Sequence, residues 1–323
     1  MIESYLEALS FSVSVTGPIF LVVVLGIILK KLAVINDEFI TAASRLVFTV
    51  TLPALLFFSI VKADLGSVFN LHLLSVAGGG TLLIFLLLSV LARFLVARAA
   101  DRGVFVQGAF RGNLGIVGLA FCVNAYGDQG MASASVLVAV LTILYNILSV
   151  YTLNRSLLPT ENESPLQGAG HIAAGIARNP LIAAIVAALV LGQMEVNIHP
   201  VLVRTGEYFA QMTLPLALLC VGGSLSLKRL QGAVSESVWA VLFKLVLCPG
   251  ILTLLSYLAG FRGMDLGLVF LLSSTPTAAA SFVMVKALKG NDTLAANIIV
   301  LTTLGSLLTV SIGLSILRGM ALI

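Results

Sequence analysis

The chain has 323 residues, of which 59% are hydrophobic and only 10% are charged. Soluble domains are about 45–50% apolar and roughly 25% charged, so this composition excludes an ordinary water-soluble protein and indicates a membrane protein in a lipid bilayer. The net charge of +4 comes from basic residues scattered between apolar runs rather than gathered in one stripe, so no nucleic-acid partner is predicted.

Apolar runs dominate the chain, and most of them are long enough to cross a bilayer as helices. A polar segment at 154–175, with proline, glycine and acidic residues, divides them into two groups of five. We therefore predict a first five-helix unit at 1–153, a polar linker at 154–175 and a second five-helix unit at 176–323. The runs, called spans 1 to 10, lie at about 13–30, 38–61, 72–97, 104–125, 131–153, 176–194, 200–224, 237–259, 266–288 and 293–317.

Basic residues between the spans predict the orientation of the chain. Loops that follow odd-numbered spans contain eleven lysines and arginines, whereas the opposite side contains four. By the positive-inside rule the odd-numbered loops and the linker are cytoplasmic, so both termini lie outside. The eleven are Lys30, Lys31, Arg93, Arg98, Arg102, Arg155, Arg178, Lys228, Arg229, Lys286 and Lys289; the four are Lys62, Arg204, Arg262 and Arg318; Arg45, Arg111 and Lys244 fall inside spans.

The two halves share a repeated pattern. TLPALL at 51–56 in span 2 recurs as TLPLAL at 213–218 in span 7, and Gly17-Pro18 matches Asn179-Pro180 at the same offset of 162 residues. Five crossings reverse the direction of the chain, so such a repeat is inverted. Any single pair of apolar helices can look alike through composition alone, but matched prolines at one offset favour a repeat.

Inverted five-helix repeats are typical of secondary transporters, which hold the substrate between broken helices near the middle of the membrane. Span 4 contains AFRGNLGIVGLAF at 109–121, and span 9 contains SSTPTAAASFV at 273–283. We predict that 111–115 and 274–278 are non-helical, cross near the membrane midplane and form the main cavity. The alternatives are that the glycines mark close helix packing and that Pro276 makes a simple kink.

Two broken helices that cross would bring their N-termini together and form a site for an anion. The Asn113 amide could hold a carboxylate or a water there. Arg111 is two residues from Asn113 and faces away from it along a helix, so we assign Arg111 a supporting role. Asn146 and Asn297 could line the cavity or join neighbouring helices by hydrogen bonds. The candidate substrate-binding residues are Asn113, Gly112, Leu114, Gly115, Thr275, Pro276, Thr277, Asn146 and Asn297.

These segments also carry a resemblance. FRGNLGIVGLAF resembles the Arg-x-Asn-x-x-x-x-Gly segment of the auxin efflux carrier family, STPTAAASFVMVKAL resembles its ninth helix, and RLVFTVTLPALLF resembles its second. The resemblance implies a fold shared with bile-acid sodium symporters, with spans 1, 2, 6 and 7 as a scaffold and spans 3–5 and 8–10 as a moving transport domain. It also implies homodimers through the scaffold, Asn113 as the substrate asparagine and Pro276 as the crossover proline. Leu114 stands where plant members have proline, which favours the bacterial organic-acid permeases and hence a bacterial inner membrane.

The sequence therefore predicts an all-α integral membrane protein of ten transmembrane helices in two inverted five-helix repeats, with broken crossing helices in spans 4 and 9. Its predicted function is secondary transport of a small organic carboxylate anion by an elevator-like alternating-access movement. There is no HExxH or GxSxG motif, and no enzyme activity, cofactor or metal is predicted. The alternatives are a channel or sensory receptor on a transporter scaffold, or a sodium-coupled symporter of the bile-acid type.

Overall fold

The computed structural model describes residues 2–61, 70–157, 180–194, 198–225 and 234–323, and these ranges are overwhelmingly helical. Extended pairing within them is confined to one isolated antiparallel bridge between Gly112 and Thr277. The described part of the chain is thus all-helical, and its one short extended contact lies between the two segments that the sequence predicts to be broken.

Eight helical segments with one pronounced bend make up the described part of the first half of the chain. Asn36 and Asn70 cap two of them by accepting hydrogen bonds from the backbone amides of Phe39 and Leu73. Gly127, with a φ of 61°, bends the longest helix where predicted spans 4 and 5 meet. The segments are α1 Ile2–Lys31, α2 Asp37–Leu46, a π-helix Val47–Thr51, α3 Leu52–Val61, α4 Leu71–Leu95, α5 Ala99–Phe110, a π-helix Leu114–Gly118 and α6 Leu119–Leu157.

The second half has the same kinds of segment. Pro200 begins one helix at a position where its missing N–H is harmless, and Asn291 caps another through the amide of Leu294. The segments are α7 Pro180–Gln193, α8 Pro200–Ser224, α9 Val234–Leu242, a π-helix Phe243–Leu247, α10 Cys248–Leu258, α11 Gly263–Ser273, α12 Ala280–Ala287 and α13 Asp292–Gly319.

Several of these helices suit a bilayer. Within the described ranges, six helical stretches are long and apolar enough to cross a membrane, and α7 and α11 are shorter apolar helices. Large apolar side chains such as Leu21, Leu86 and Phe94 are exposed on the outside of the helices, where lipid rather than water would contact them. The six stretches are Leu9–Lys31, Asp37–Val61, Leu71–Leu95, Leu114–Leu157, Ser235–Leu258 and Asp292–Gly319.

Some sequence predictions fall at the edges of the described ranges. Helix α6 continues to Leu157, so residues 154–157 of the predicted linker are helical and add one polar turn to the end of span 5. Residues 158–175 of the linker lie outside the described residues. So do Asn179 of the repeat comparison and four residues of the charge comparison, Lys62, Arg178, Lys228 and Arg229.

Helix packing groups the elements around the two breaks. Helix α1 packs against α8 and α13, and α3 packs against α7 and α8. On the other side, α4 contacts α5 and α10, while α11 contacts α10 and α6. Phe105 and Phe121, which lie on either side of the first break, are fully buried. The two breaks are therefore held inside protein, which irregular backbone at membrane depth requires.

Candidate functional site

The helices of predicted spans 4 and 9 are both broken. Helix α5 ends at Phe110, the chain is non-helical from Arg111 to Asn113, and a π-helix begins at Leu114. Helix α11 ends at Ser273, and α12 begins at Ala280. Both helices are thus interrupted, and the first interruption is shorter than the predicted 111–115 because Leu114 and Gly115 already belong to the π-helix. We call residues 111–113 and 274–279 the crossover.

The two broken segments pair through their backbones. The amide of Asn113 donates to the carbonyl of Pro276 at 2.8 Å, and the amide of Ala278 donates to the carbonyl of Arg111 at 3.0 Å. Together they form the antiparallel bridge of Gly112 with Thr277. Backbone groups that lose their helical partners must find others when water is absent, and here each break supplies partners to the other.

Glycine is needed at position 112 because the second segment approaches so closely. A Cβ atom built on Gly112 would lie 2.2 Å from the Thr275 hydroxyl oxygen and 3.3 Å from the Lys244 ammonium nitrogen. On Gly118, a Cβ atom would lie 2.8 Å from a methyl carbon of Leu272. The glycines of GNLGIVG thus agree with both interpretations of the sequence, because Gly112 lies in a helix break and Gly118 allows close packing against Leu272.

Three threonine hydroxyls satisfy backbone groups around the crossover. Thr275 donates to the carbonyl of Leu272 at 2.8 Å, and Thr277 donates to the carbonyl of Gly108 at 2.6 Å. The Thr302 hydroxyl oxygen on α13 accepts from the amide of Thr277 at 3.1 Å. Since Thr275 and Thr277 are almost completely buried, their observed hydroxyl contacts are structural. Their contact with a substrate stays a prediction.

Asn113 is placed differently from the threonines. Its side chain is half-buried and makes no hydrogen bond with any described residue, although its backbone is fixed by Pro276. In the second broken segment, the amides of Ala279 and Ala280 at the start of α12 have no backbone acceptor among the described residues, and both residues are exposed. Each of the two broken segments thus has donors that no described residue uses, an amide side chain in the first and helix-terminal N–H groups in the second.

Arg111 points away from Asn113 into the protein. Its guanidinium donates to Oδ1 of Asn146 on α6 at 2.7 Å and contacts Sδ of Met284 on α12 at 2.8 Å. Only 8% of the residue is exposed. The guanidinium therefore joins three helices at the first break, and its supporting role at a substrate site stays a prediction. Asn146 forms the interhelical hydrogen bond that the sequence left as one of its two alternatives.

The structure distributes the other candidates around the same centre. Leu114 and Pro276 are buried in the two segments, and Gly115 is half-buried beside Leu52 of α3. Asn297 is buried on α13, five residues before Thr302. A substrate contact for any of them is a prediction that the geometry alone does not test.

Sequence reasoning missed Lys244. It lies in the π-helix Phe243–Leu247, is 0% exposed, and its Nζ donates to the carbonyl of Ser273 at 2.6 Å. The available signal was a lysine inside an apolar span, which is expensive in lipid and marks a functional position. Neither Lys244 nor Arg111 takes part in the ion pairs recorded among the described residues, Lys30–Asp37 and Arg98–Asp101.

The prediction that the crossover forms the main cavity is wrong for this structure. Cavities of about 730 and 660 Å³ lie elsewhere, the first along the outer face of α2 and the second in an apolar groove between α10, α11 and α13. Those beside the crossover, at Ser273 and Tyr145, have volumes of about 10 Å³. The physical reason is the close approach of Gly112 to Thr275, which leaves no room between the segments.

Arg111 permits a test that separates structure from charge. Arg111→Lys keeps the charge but loses the planar fork that reaches Asn146 and Met284 together. An unsatisfied buried polar group costs about 1–3 kcal/mol, so we expect a lower melting temperature with substrate affinity within about threefold of wild type. The exposed Arg45→Lys is the control. An unchanged melting temperature with affinity weakened tenfold would contradict the supporting role.

Comparison with known proteins matches nearly the whole chain to one family. Residues 12–314 match the family described as membrane transport protein. A protein of Rhizobium meliloti named "Putative malonate transporter" is 28% identical over 314 residues, covering 94% of this chain and 95% of that protein.

Two archaeal proteins are similar over most of their length. An "Uncharacterized transporter" of Methanothermobacter thermautotrophicus is 24% identical, covering 82% of this chain and 85% of that protein. A protein with a similar description from Methanocaldococcus jannaschii is 23% identical, covering 91% of this chain and 95% of its own length.

Proposed function

Since the chain belongs to the membrane transport protein family, the auxin efflux carrier family that its sequence resembles, we propose that it carries a small organic carboxylate anion across a membrane. The family supports a transporter rather than an enzyme, and the family match covers nearly the whole chain. The substrate class is our inference from the crossover, and the printed name of the Rhizobium meliloti relative supports it.

One observation carries the substrate class. The crossover presents the Asn113 amide and the amides of Ala279 and Ala280 without protein acceptors among the described residues. Behind them lie two buried basic side chains, Arg111 and Lys244, which form no recorded ion pair with a described carboxylate. Donors and positive charge without a counter-ion favour an anion as the ligand.

We propose that ten membrane helices form two inverted five-helix repeats. Helix packing supports this arrangement, because contacts in one half have counterparts in the other. The contact of α1 with α8 corresponds to that of α7 with α3. Likewise, α4 with α5 corresponds to α10 with α11, and α5 with α13 corresponds to α11 with α6. The positive-inside rule favours termini outside, and the resemblance to bacterial organic-acid permeases favours a bacterial inner membrane.

The mechanism we propose is an elevator-like movement. Helices α1, α3, α7 and α8 pack with one another and would form the scaffold, with α1 also lying against α13 and α6, whereas the crossover is held by α5, α6, α11, α12 and α13 and would move as a unit. Hydrogen bonds that join the two broken helices to each other and to α13 support such a unit, since the site could shift without coming apart. We also propose that two copies of the chain form a homodimer through their scaffold helices.

Two other functions would require structural features that differ from those of the crossover. A channel or sensory receptor on this scaffold would need an open path or a fixed site, whereas the crossover is closed by packing of Gly112 against Thr275. A sodium-coupled symporter would favour a carboxylate at the crossover, and no recorded hydrogen bond or ion pair of the described residues places one there.

Counterflow tests the proposal directly. Purified protein in liposomes loaded with unlabelled malonate is expected to accumulate labelled malonate transiently from a low outside concentration, because a carrier exchanges one substrate molecule for another. Acetate, succinate and choline inside the liposomes serve as comparisons for substrate class. Failure of every internal acid to drive accumulation would contradict an anion carrier, and flux without exchange would identify a channel.

A further inference from the structure

Lys244 occupies an unusual position for a charged side chain. It is completely buried, and it lies on a π-helical segment between α9 and α10 rather than on a regular helix. Segments of π-helix inside longer helices frequently occur at functional sites. The side chain reaches from predicted span 8 to the broken helix of span 9, where its Nζ donates to the carbonyl of Ser273.

The carbonyl group that accepts the hydrogen bond from Lys244 lies at the end of a helix. Ser273 is the last residue of α11, so its carbonyl belongs to the negative end of a helix whose chain then turns into the crossover. In transporters with broken helices, the carbonyl ends of half-helices are where a coupling cation such as sodium is coordinated. Here the ammonium group of Lys244, which is part of the protein itself, contacts the carbonyl end of α11.

The same ammonium lies against the other broken segment. Its Nζ is 3.3 Å from the position that a Cβ atom would take on Gly112, one residue before Asn113. A cavity of about 10 Å³ is lined by Lys244 and Ser273 together with Thr81, Ile84, Phe110, Tyr145, Cys248 and Leu252. None of these is a carboxylate, so the charge is not neutralised by a side chain of this cavity.

We propose that Lys244 is the resident cation of the crossover, a positioning residue whose charge holds the carbonyl end of α11 and favours an anion at Asn113, so that no sodium ion is needed there. The inference rests on the proposed function for its substrate. Its structural part, a built-in positive charge at a half-helix carbonyl end, comes from the burial and contacts of Lys244 alone. Removing the charge should therefore weaken substrate binding more than it weakens the fold.

The first arm of the test uses the wild-type protein. Malonate counterflow is measured in sodium, potassium and choline buffers, and melting temperature is measured with sodium chloride against choline chloride. We expect rates within about twofold and no sodium-specific rise in melting temperature. Sodium-dependent exchange, or stabilisation by sodium alone, would overturn the proposal. If no carboxylate is exchanged the proposed function fails, while the melting measurement still tests the sodium part.

The second arm changes the charge. Lys244→Met keeps the length of the side chain and removes the ammonium, and we expect the KM for malonate exchange to rise at least tenfold with a smaller change in maximal rate. Cys248→Ala disturbs the same cavity without changing charge, and Lys31→Met removes an exposed charge from α1. Both should keep KM within threefold. A folded Lys244→Met protein with wild-type KM would overturn the proposal, and if that variant does not fold the sodium arm decides.

Discussion

Replacing Gly112 by alanine is expected to abolish exchange of substrate and to lower the melting temperature. The added methyl group would lie 2.2 Å from the Thr275 hydroxyl oxygen, a distance that real side chains do not tolerate, so the buried Thr275 side chain or one of the two bridged segments must shift. Overpacking of a well-packed interior costs about 1–3 kcal/mol, and here it acts on the crossover itself. Exchange in liposomes and the melting temperature should be measured together.

Gly79→Ala is the matched control. A Cβ atom on Gly79, in the middle of α4, would meet no atom within 4 Å, so the same substitution there should leave exchange unchanged. Thr275→Ala removes the hydroxyl that the new methyl group would strike. We therefore expect Gly112→Ala combined with Thr275→Ala to be less impaired than the sum of the two single changes predicts. Full activity of Gly112→Ala alone would show that the close contact is not required.

The positions of the two breaks could be predicted from the sequence because they depend on local chemistry. Glycines around Asn113 and a proline at 276 weaken helical structure in any surroundings, and the structure breaks both helices there. The extent of the first break could not be predicted. It is set by pairing with Pro276 and Thr277, more than 160 residues away in sequence, which lets the helix resume at Leu114.

Contacts between helices explain what the sequence did not reveal about the site. Asn146 was a candidate for the substrate cavity, but its carbonyl oxygen accepts from Arg111, and this follows only from how α5 and α6 pack. Lys244 stood out as a charge inside an apolar span, yet its role depends on the distance between two spans. The closed crossover likewise follows from tertiary packing, so composition could suggest a cavity but not its size.

Asn113→Ala is expected to weaken binding of a carboxylate by about tenfold to a hundredfold while the protein remains folded. The change removes a half-buried amide that no described residue uses, so no partner within those residues loses a hydrogen bond. Hydrogen bonds to a charged group are worth about 1.5–3 kcal/mol, which corresponds to that loss of affinity. The backbone bond from Asn113 to Pro276 does not involve the side chain and should persist.

Asn154→Ala provides the comparison for this last variant, because Asn154 on α6 is also half-buried and has no recorded hydrogen bond through its side chain. Affinity for malonate and melting temperature should be measured for both variants, with Asn113→Asp added. A carboxylate at 113 would repel the anion, so Asn113→Asp should bind more weakly than Asn113→Ala. Wild-type affinity in a folded Asn113→Ala protein would remove Asn113 from the site. Equal affinity of the alanine and aspartate variants would instead show that the ligand at this position is not an anion, because only a charged ligand distinguishes the two.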